Sequence, residues 1–158
     1  MTLVKGPGLT LLELLIVLSV LAIVAGIAAL DVRPLYDPLQ DSLARSEGYL
    51  KNVRAKAMAT TSAYQVILEG NKLKARYASR CSSDLTFTTD PQLVQEYPSG
   101  ITVLLSPADA FVCFTSRGTL VFTTNTQSFS GNPQVQLRDS RGRVARLELL
   151  LGGGVVRR

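Results

Sequence analysis

Three sets of residues in this 158-residue chain have types and placements that could do chemistry. They are a lone carboxylate inside an apolar run (Glu13), a cysteine pair (Cys81 and Cys113), and arginines crowded at the C-terminus. The chain contains no histidine. That removes Ser-His-Asp and Cys-His catalysis and every zinc site that needs imidazole. The remaining carboxylates are scattered rather than clustered as metal ligands, and Gly152-Gly153-Gly154 lacks the spacing of a phosphate-binding loop. No nucleophile, base and orienting group can be assembled, so no catalytic residue, metal or cofactor is expected and the chain reads as a non-enzyme.

Glu13 stands out because of its surroundings. From 9 to 30 only Thr10, Glu13, Ser19 and Gly26 interrupt the apolar residues. As a helix this stretch is roughly 33 Å long, enough to cross a bilayer core. A carboxylate within such a span costs about 2.5–3.5 kcal/mol, so it calls for a partner. The small-residue sequence Gly6-Pro7-Gly8 precedes the run, the reverse of a secretory signal peptide. With Lys5 outside the span, the positive-inside bias keeps the N-terminus cytoplasmic and exports the rest. A cut after Gly8 would free an amine on Leu9, about one helical turn from Glu13 or presentable to it by a neighbouring chain. The pair would set the register between apolar helices.

Gly8-Leu9-Thr10-Leu11-Leu12-Glu13-Leu14 resembles the prepilin peptidase site of type IV pilins and pseudopilins. The resemblance implies cleavage after Gly8, methylation of the new N-terminus at Leu9 (where the family usually has Phe), and an assembly role for Glu13. It also implies a prepilin peptidase, other pilins or pseudopilins and the inner-membrane lipid as partners. The chain would then be a single-pass inner-membrane protein whose exported domain joins a periplasmic or cell-surface filament.

The cysteines are even in number, so in an exported domain Cys81 and Cys113 are expected to form one disulfide, the alternative being two buried thiols. The formal charge of +5 is concentrated near the end of the chain. After residue 137, Arg138, Arg141, Arg143, Arg146, Arg157 and Arg158 oppose Asp139 and Glu148, six minus two, or +4. A basic patch of this kind suits nucleic acid or lipid head groups, and it is equally readable as a solvated hairpin.

The elements that must position these residues follow from periodicity. Pro34 and Pro38 are expected to bend or break a long N-terminal helix. Helical spacing resumes over 39–59, with Leu39, Leu43, Leu50, Val53 and Ala57 on one face and Arg45, Lys51 and Arg54 available for the other. Short β-type runs follow at 64–69, 72–77, 85–88, 101–105, 111–115, 120–123, 135–138 and 144–151, with Gly70-Asn71 as a hairpin turn. The tail at 152–158 is either a flexible end or a last edge strand. The expected class is α+β, a long helix followed by an antiparallel β-sandwich-like domain. Its divisions are a leader at 1–8, a transmembrane and assembly helix at 9–30, a helical continuation at 31–59 and an exported β-rich domain at 60–158.

This layout resembles the GspH/FimT branch of minor pilins and pseudopilins. Leu43-Ala44-Arg45-Ser46-Glu47, Phe114-Thr115-Ser116-Arg117-Gly118, Arg141-Gly142-Arg143-Val144 and Gly154-Val155-Val156-Arg157 are similar to segments of that family. Some FimT-like proteins bind DNA through a C-terminal Gly-Arg-x-Arg pattern. Gly142-Arg143-Val144-Ala145-Arg146 is one residue longer than that pattern. Arg141, Arg143, Arg146, Arg157 and Arg158 are therefore the candidate DNA contacts. The expected function is a minor pilin assembled through its N-terminal helix into a type IV pilus or related filament, with a part in DNA uptake. The alternatives are a DNA-binding tip receptor of a transformation pilus and a minor pseudopilin of type II secretion.

Overall fold

The computed structural model describes residues 10–30, 37–124 and 131–158, with the backbone alone at 27–30. It contains two compact units, Met1–Tyr36 and Asp37–Arg158. In the first, α1 (Leu11–Leu30) is apolar on every face, and each described side chain from Thr10 to Gly26 is exposed. Leu11 is 78% exposed and Ile23 63%. Among the described residues no helix is long and apolar enough to cross a membrane. The described side chains of α1, 11–26, account for roughly 24 Å of helix against a hydrocarbon core of about 30 Å. The span expected at 9–30 extends beyond them, and most of the expected bend lies outside the described residues.

The second unit opens with α2 (Pro38–Ala59). Asp37 is its N-cap, accepting the Leu39 backbone N–H at 3.0 Å, and Pro38 occupies a first-turn position where no amide hydrogen is required. Among the described residues nine strands follow: β1 (Ala63–Glu69), β2 (Lys72–Ala78), β3 (Thr88–Glu96), β4 (Ile101–Ser106), β5 (Phe111–Phe114), β6 (Leu120–Thr123), β7 (Gln134–Asp139), β8 (Val144–Leu149) and β9 (Val155–Arg157). They form two antiparallel sheets, ordered β3-β2-β1-β5-β6 and β4-β7-β8-β9. This is the α+β class expected from the sequence. The tail is the edge strand β9.

α2 meets strands of both sheets. Leu43, Leu50, Val53 and Ala57 bury with Val66, Val112 and Phe114 of one sheet and Val135, Leu137, Leu147 and Leu149 of the other. Each of these side chains larger than alanine contributes about 1.5–3 kcal/mol on full burial. Every member of this core lies within Asp37–Arg158, as does the only disulfide among the described residues, so the unit carries what it needs to fold alone.

The strand expected at 85–88 is instead a loop that ends at Thr88, where β3 starts. β3 includes Asp90-Pro91, a dipeptide that reads as a turn. Proline is tolerated because β3 is an edge strand, and the ladder slips between Lys74 and Arg76 opposite it. The other sheet has its own free edge at β4, and Asn71 covers part of it. Its amide donates to the Ile101 carbonyl at 2.7 Å and accepts the Val103 N–H at 3.1 Å, as a neighbouring strand would.

Candidate assembly helix and the basic C-terminal hairpin

α1 begins two residues before Glu13. Thr10 caps it, its hydroxyl accepting the Glu13 N–H at 3.3 Å and its carbonyl accepting the Leu14 N–H at 3.1 Å. Glu13 thus sits in the first turn, where the positive end of the helix dipole favours a carboxylate. A chain cut after Gly8 has its free amine one residue ahead of this cap. Ser19, the other polar interruption, returns its hydroxyl to the Ile16 carbonyl at 2.8 Å. The hydroxyls of Thr10 and Ser19 are thus satisfied within the helix, while nothing among the described residues covers its apolar side chains. Such a surface requires lipid or other helices around it.

The C-terminal arginines divide into two groups. Arg143 grips both oxygens of Asp37 with its two terminal nitrogens at 2.9 Å each, while its Nε donates to Asp139 at 2.6 Å. Asp139 also accepts the backbone N–H groups of Arg141 and Arg143, at 2.9 and 2.8 Å. The N-cap of α2 is thereby fastened to the β7–β8 turn. The Arg143 guanidinium holds the Asp37 carboxyl below its usual value, and its own affinity for the proton rises in return. At Asp139 burial opposes ionisation, but the hydrogen bonds from Arg143 outweigh it and the carboxyl is lowered.

Arg157 bonds Glu47 of α2 at 2.6 Å, and Lys51 bonds the other oxygen of the same carboxylate at 2.6 Å. Lys51 first, then Arg157, lowers Glu47. Arg158 bonds Glu148 at 2.7 Å, and Asn132 and Arg158 together lower that carboxyl. Three of the five candidate DNA contacts are thus committed to carboxylates of this chain. Arg141 at the turn tip and Arg146 on the outer face of β8 have no side-chain partner among the described residues, and neither does Arg138 of β7.

Arg54, which the helical pattern left to the solvent side, holds the end of the chain in place. Its Nε donates to the Gly118 carbonyl at 2.8 Å and its Nη2 to the Gly152 carbonyl at 3.2 Å. The Gly118 turn, picked out by the sequence resemblance, and the turn at Gly152, just ahead of the Gly154–Arg157 segment, therefore meet under one side chain. Leu120 N–H to Leu151 O at 2.9 Å ties them further. Beyond β2, Cys81 is bridged to Cys113 of β5 with their Cα atoms 5.8 Å apart, and Phe87 of the same loop meets Phe111 edge-on at 6.0 Å.

With this geometry in view, the comparisons with known proteins divide between the two units. Residues 7–29 match the prokaryotic N-terminal methylation motif. The fold is similar to the crystal structure of the type IV minor pilin FimU of Pseudomonas aeruginosa strain PAO1. The TM-score is 0.55 at 16% identity, covering 76% of this chain and 87% of that one. No curated protein matches the sequence. The chain thus carries the methylation motif at its head and, behind it, a two-sheet domain whose fold is similar to that of this minor pilin.

Proposed function

We propose that this protein is a minor pilin-type subunit, cleaved after Gly8, methylated on Leu9 and built into a filament through α1. On this reading it is a structural protein rather than an enzyme. A prepilin peptidase processes it, inner-membrane lipid holds the run at 9–30 before assembly, and other pilins or pseudopilins take over that apolar surface afterwards. Its domain lies on the exported side.

One observation carries the reading. A methylation motif heads a helix whose described apolar side chains are all exposed, and this helix is joined to a domain with its own complete core. Such a helix has no use in an isolated globular protein. Glu13 supplies the carboxylate that pairs with the freed amine, on its own chain or on a neighbour.

A Glu13→Ala exchange tests it, read by membrane fractionation and by recovery in sheared filaments. Membrane insertion should be kept, since a charge leaves the apolar run, while filament incorporation falls. Normal incorporation of the variant would refute the pairing role. A part in DNA uptake rests on Arg141 and Arg146 alone among the five arginines first considered, and a pseudopilin of type II secretion would share the same fold.

A further inference from the structure

The open face of the sheet β4-β7-β8-β9 combines unpaired cations with exposed apolar side chains. Pairing places Thr102, Arg138 and Val144 in one row across the strands, and Leu104, Gln136 and Arg146 in the next. Leu104 is 46% exposed and Val144 38%, and Val156 of β9, opposite Glu148 on the same face, is 39% exposed. Arg138 and Arg146 project among them, and Arg141 stands at the turn where β7 and β8 meet. The acids nearest these arginines are already engaged, Asp139 with Arg143 and Glu148 with Arg158 and Asn132. The face therefore carries three uncompensated positive charges around apolar contacts.

Its location bears on what would meet it. Arg143 fastens the β7–β8 turn to Asp37, the first residue of the domain. The chain from the end of α1 to Asp37 can span no more than about 25 Å. If α1 is anchored as proposed above, on which this inference rests, the arginine-bearing turn is tethered within reach of the lipid head groups. Tethering makes even weak attraction effective, because binding becomes intramolecular.

We propose that, before assembly, the domain docks on the anionic phospholipid surface of its own membrane through Arg138, Arg141 and Arg146, with Leu104 and Val144 entering the headgroup region. Arginine tolerates that interface because its stem buries along apolar surface while its guanidinium meets phosphate. Lipid fits this face better than duplex DNA, which offers phosphates but no apolar layer beside them.

The test uses the isolated Asp37–Arg158 domain, oxidised, in a flotation assay. One set of vesicles mixes phosphatidylglycerol with phosphatidylcholine, and the other is phosphatidylcholine alone. The domain should float with the anionic vesicles at low salt, fall away as salt rises, and ignore the neutral ones. Each arginine near an anionic surface contributes about a factor of five in partitioning. Arg138→Ala, Arg141→Ala and Arg146→Ala combined should therefore lower it on the order of a hundredfold. The corresponding triple lysine variant should retain most of it, and unchanged melting of both variants separates lost contacts from lost folding. No flotation with anionic vesicles, or equal flotation of the triple alanine variant, overturns the proposal. So does binding of a short DNA duplex without binding of vesicles, which would assign the face to nucleic acid. Because α1 is absent from this experiment, failure here leaves the assembly reading intact, and failure of the Glu13 test leaves this one intact.

Discussion

Replacing the buried Gly153 with alanine should be among the most damaging single exchanges in the turns of the domain. Gly153 has φ +81°, where a side chain costs roughly 1–2 kcal/mol. An added Cβ would also lie well inside contact distance of the Gly118 carbonyl oxygen and 2.8 Å from Arg54 Nε. The carbonyl is backbone and cannot rotate away, so one of the two turns must retreat. Retreat breaks the charged hydrogen bond from Arg54 to Gly118, worth about 1.5–3 kcal/mol, and strains the one to Gly152. Strain and lost bonding together come to about 4 kcal/mol. For a unit of this size that is a fall in Tm of roughly 10–20 °C. Two controls separate the contributions. Gly142 has φ +82° with open space around it, so Gly142→Ala meets the strain alone, about 1–2 kcal/mol. Gly152 has neither strain nor a close neighbour, and its exchange should stay within about 0.5 kcal/mol. Thermal unfolding of the oxidised Asp37–Arg158 domain, followed by circular dichroism, gives the order. If Gly153→Ala melts no lower than Gly142→Ala, the close packing of the two turns beneath Arg54 is refuted.

Two further outcomes follow from the same domain. Removing the Cys81–Cys113 bridge, which closes a separation of 32 residues, should cost about 3–4 kcal/mol, seen as a lower urea midpoint for the double serine variant; an unchanged midpoint would show that the bridge constrains nothing. Asp37, Asp139, Glu47 and Glu148 are all held below their ordinary values, 3.8 for the aspartates and 4.5 for the glutamates. Their stabilisation is therefore complete above that range and lost as pH falls through the lowered values, so Tm should hold to about pH 5 and drop below about pH 4. The drop should be shallower in Asp37→Asn, and an equal drop in that variant would detach Asp37 from the effect.

The sequence showed most plainly the elements whose pattern and environment agree. The α2 positions Leu39, Leu43, Leu50, Val53 and Ala57 fall at helical spacing and are all buried. Ser42 and Ser46 share that face and were not legible as core, because a hydroxyl reads as polar while being small enough to be buried. Ser46 satisfies its hydroxyl on the Ser42 carbonyl at 2.7 Å and on the Tyr97 hydroxyl at 2.6 Å. Burial in that setting pushes the Tyr97 phenol up to about 12. β3 is hidden in the sequence because Asp90-Pro91 carries a turn signal that an edge strand can ignore. Asn71 is legible as a turn residue, which it is. Its second task on the β4 edge depends on a strand thirty residues away in sequence, and no local pattern encodes it.

The candidate sites differ in the same way. Glu13 was legible because a carboxylate inside an apolar run is anomalous wherever the chain folds. The arginines were not, because charge counting along the sequence cannot tell which cations already have partners. Arg143, Arg157 and Arg158 find theirs on Asp37, Glu47 and Glu148. Asp37 and Glu47 lie a hundred or more residues away in the chain. Arg138, a plain strand residue on sequence grounds, ends up beside Arg146 on the open face.

The intact mass of the membrane-extracted protein, expressed in full with a prepilin peptidase, bears most directly on the claim that this is a pilin-type subunit. It should equal the chain beginning at Leu9 plus one methyl group, and the unprocessed mass should remain when Gly8→Val is introduced. A protein that keeps residues 1–8 in the presence of active peptidase would contradict the account at its root.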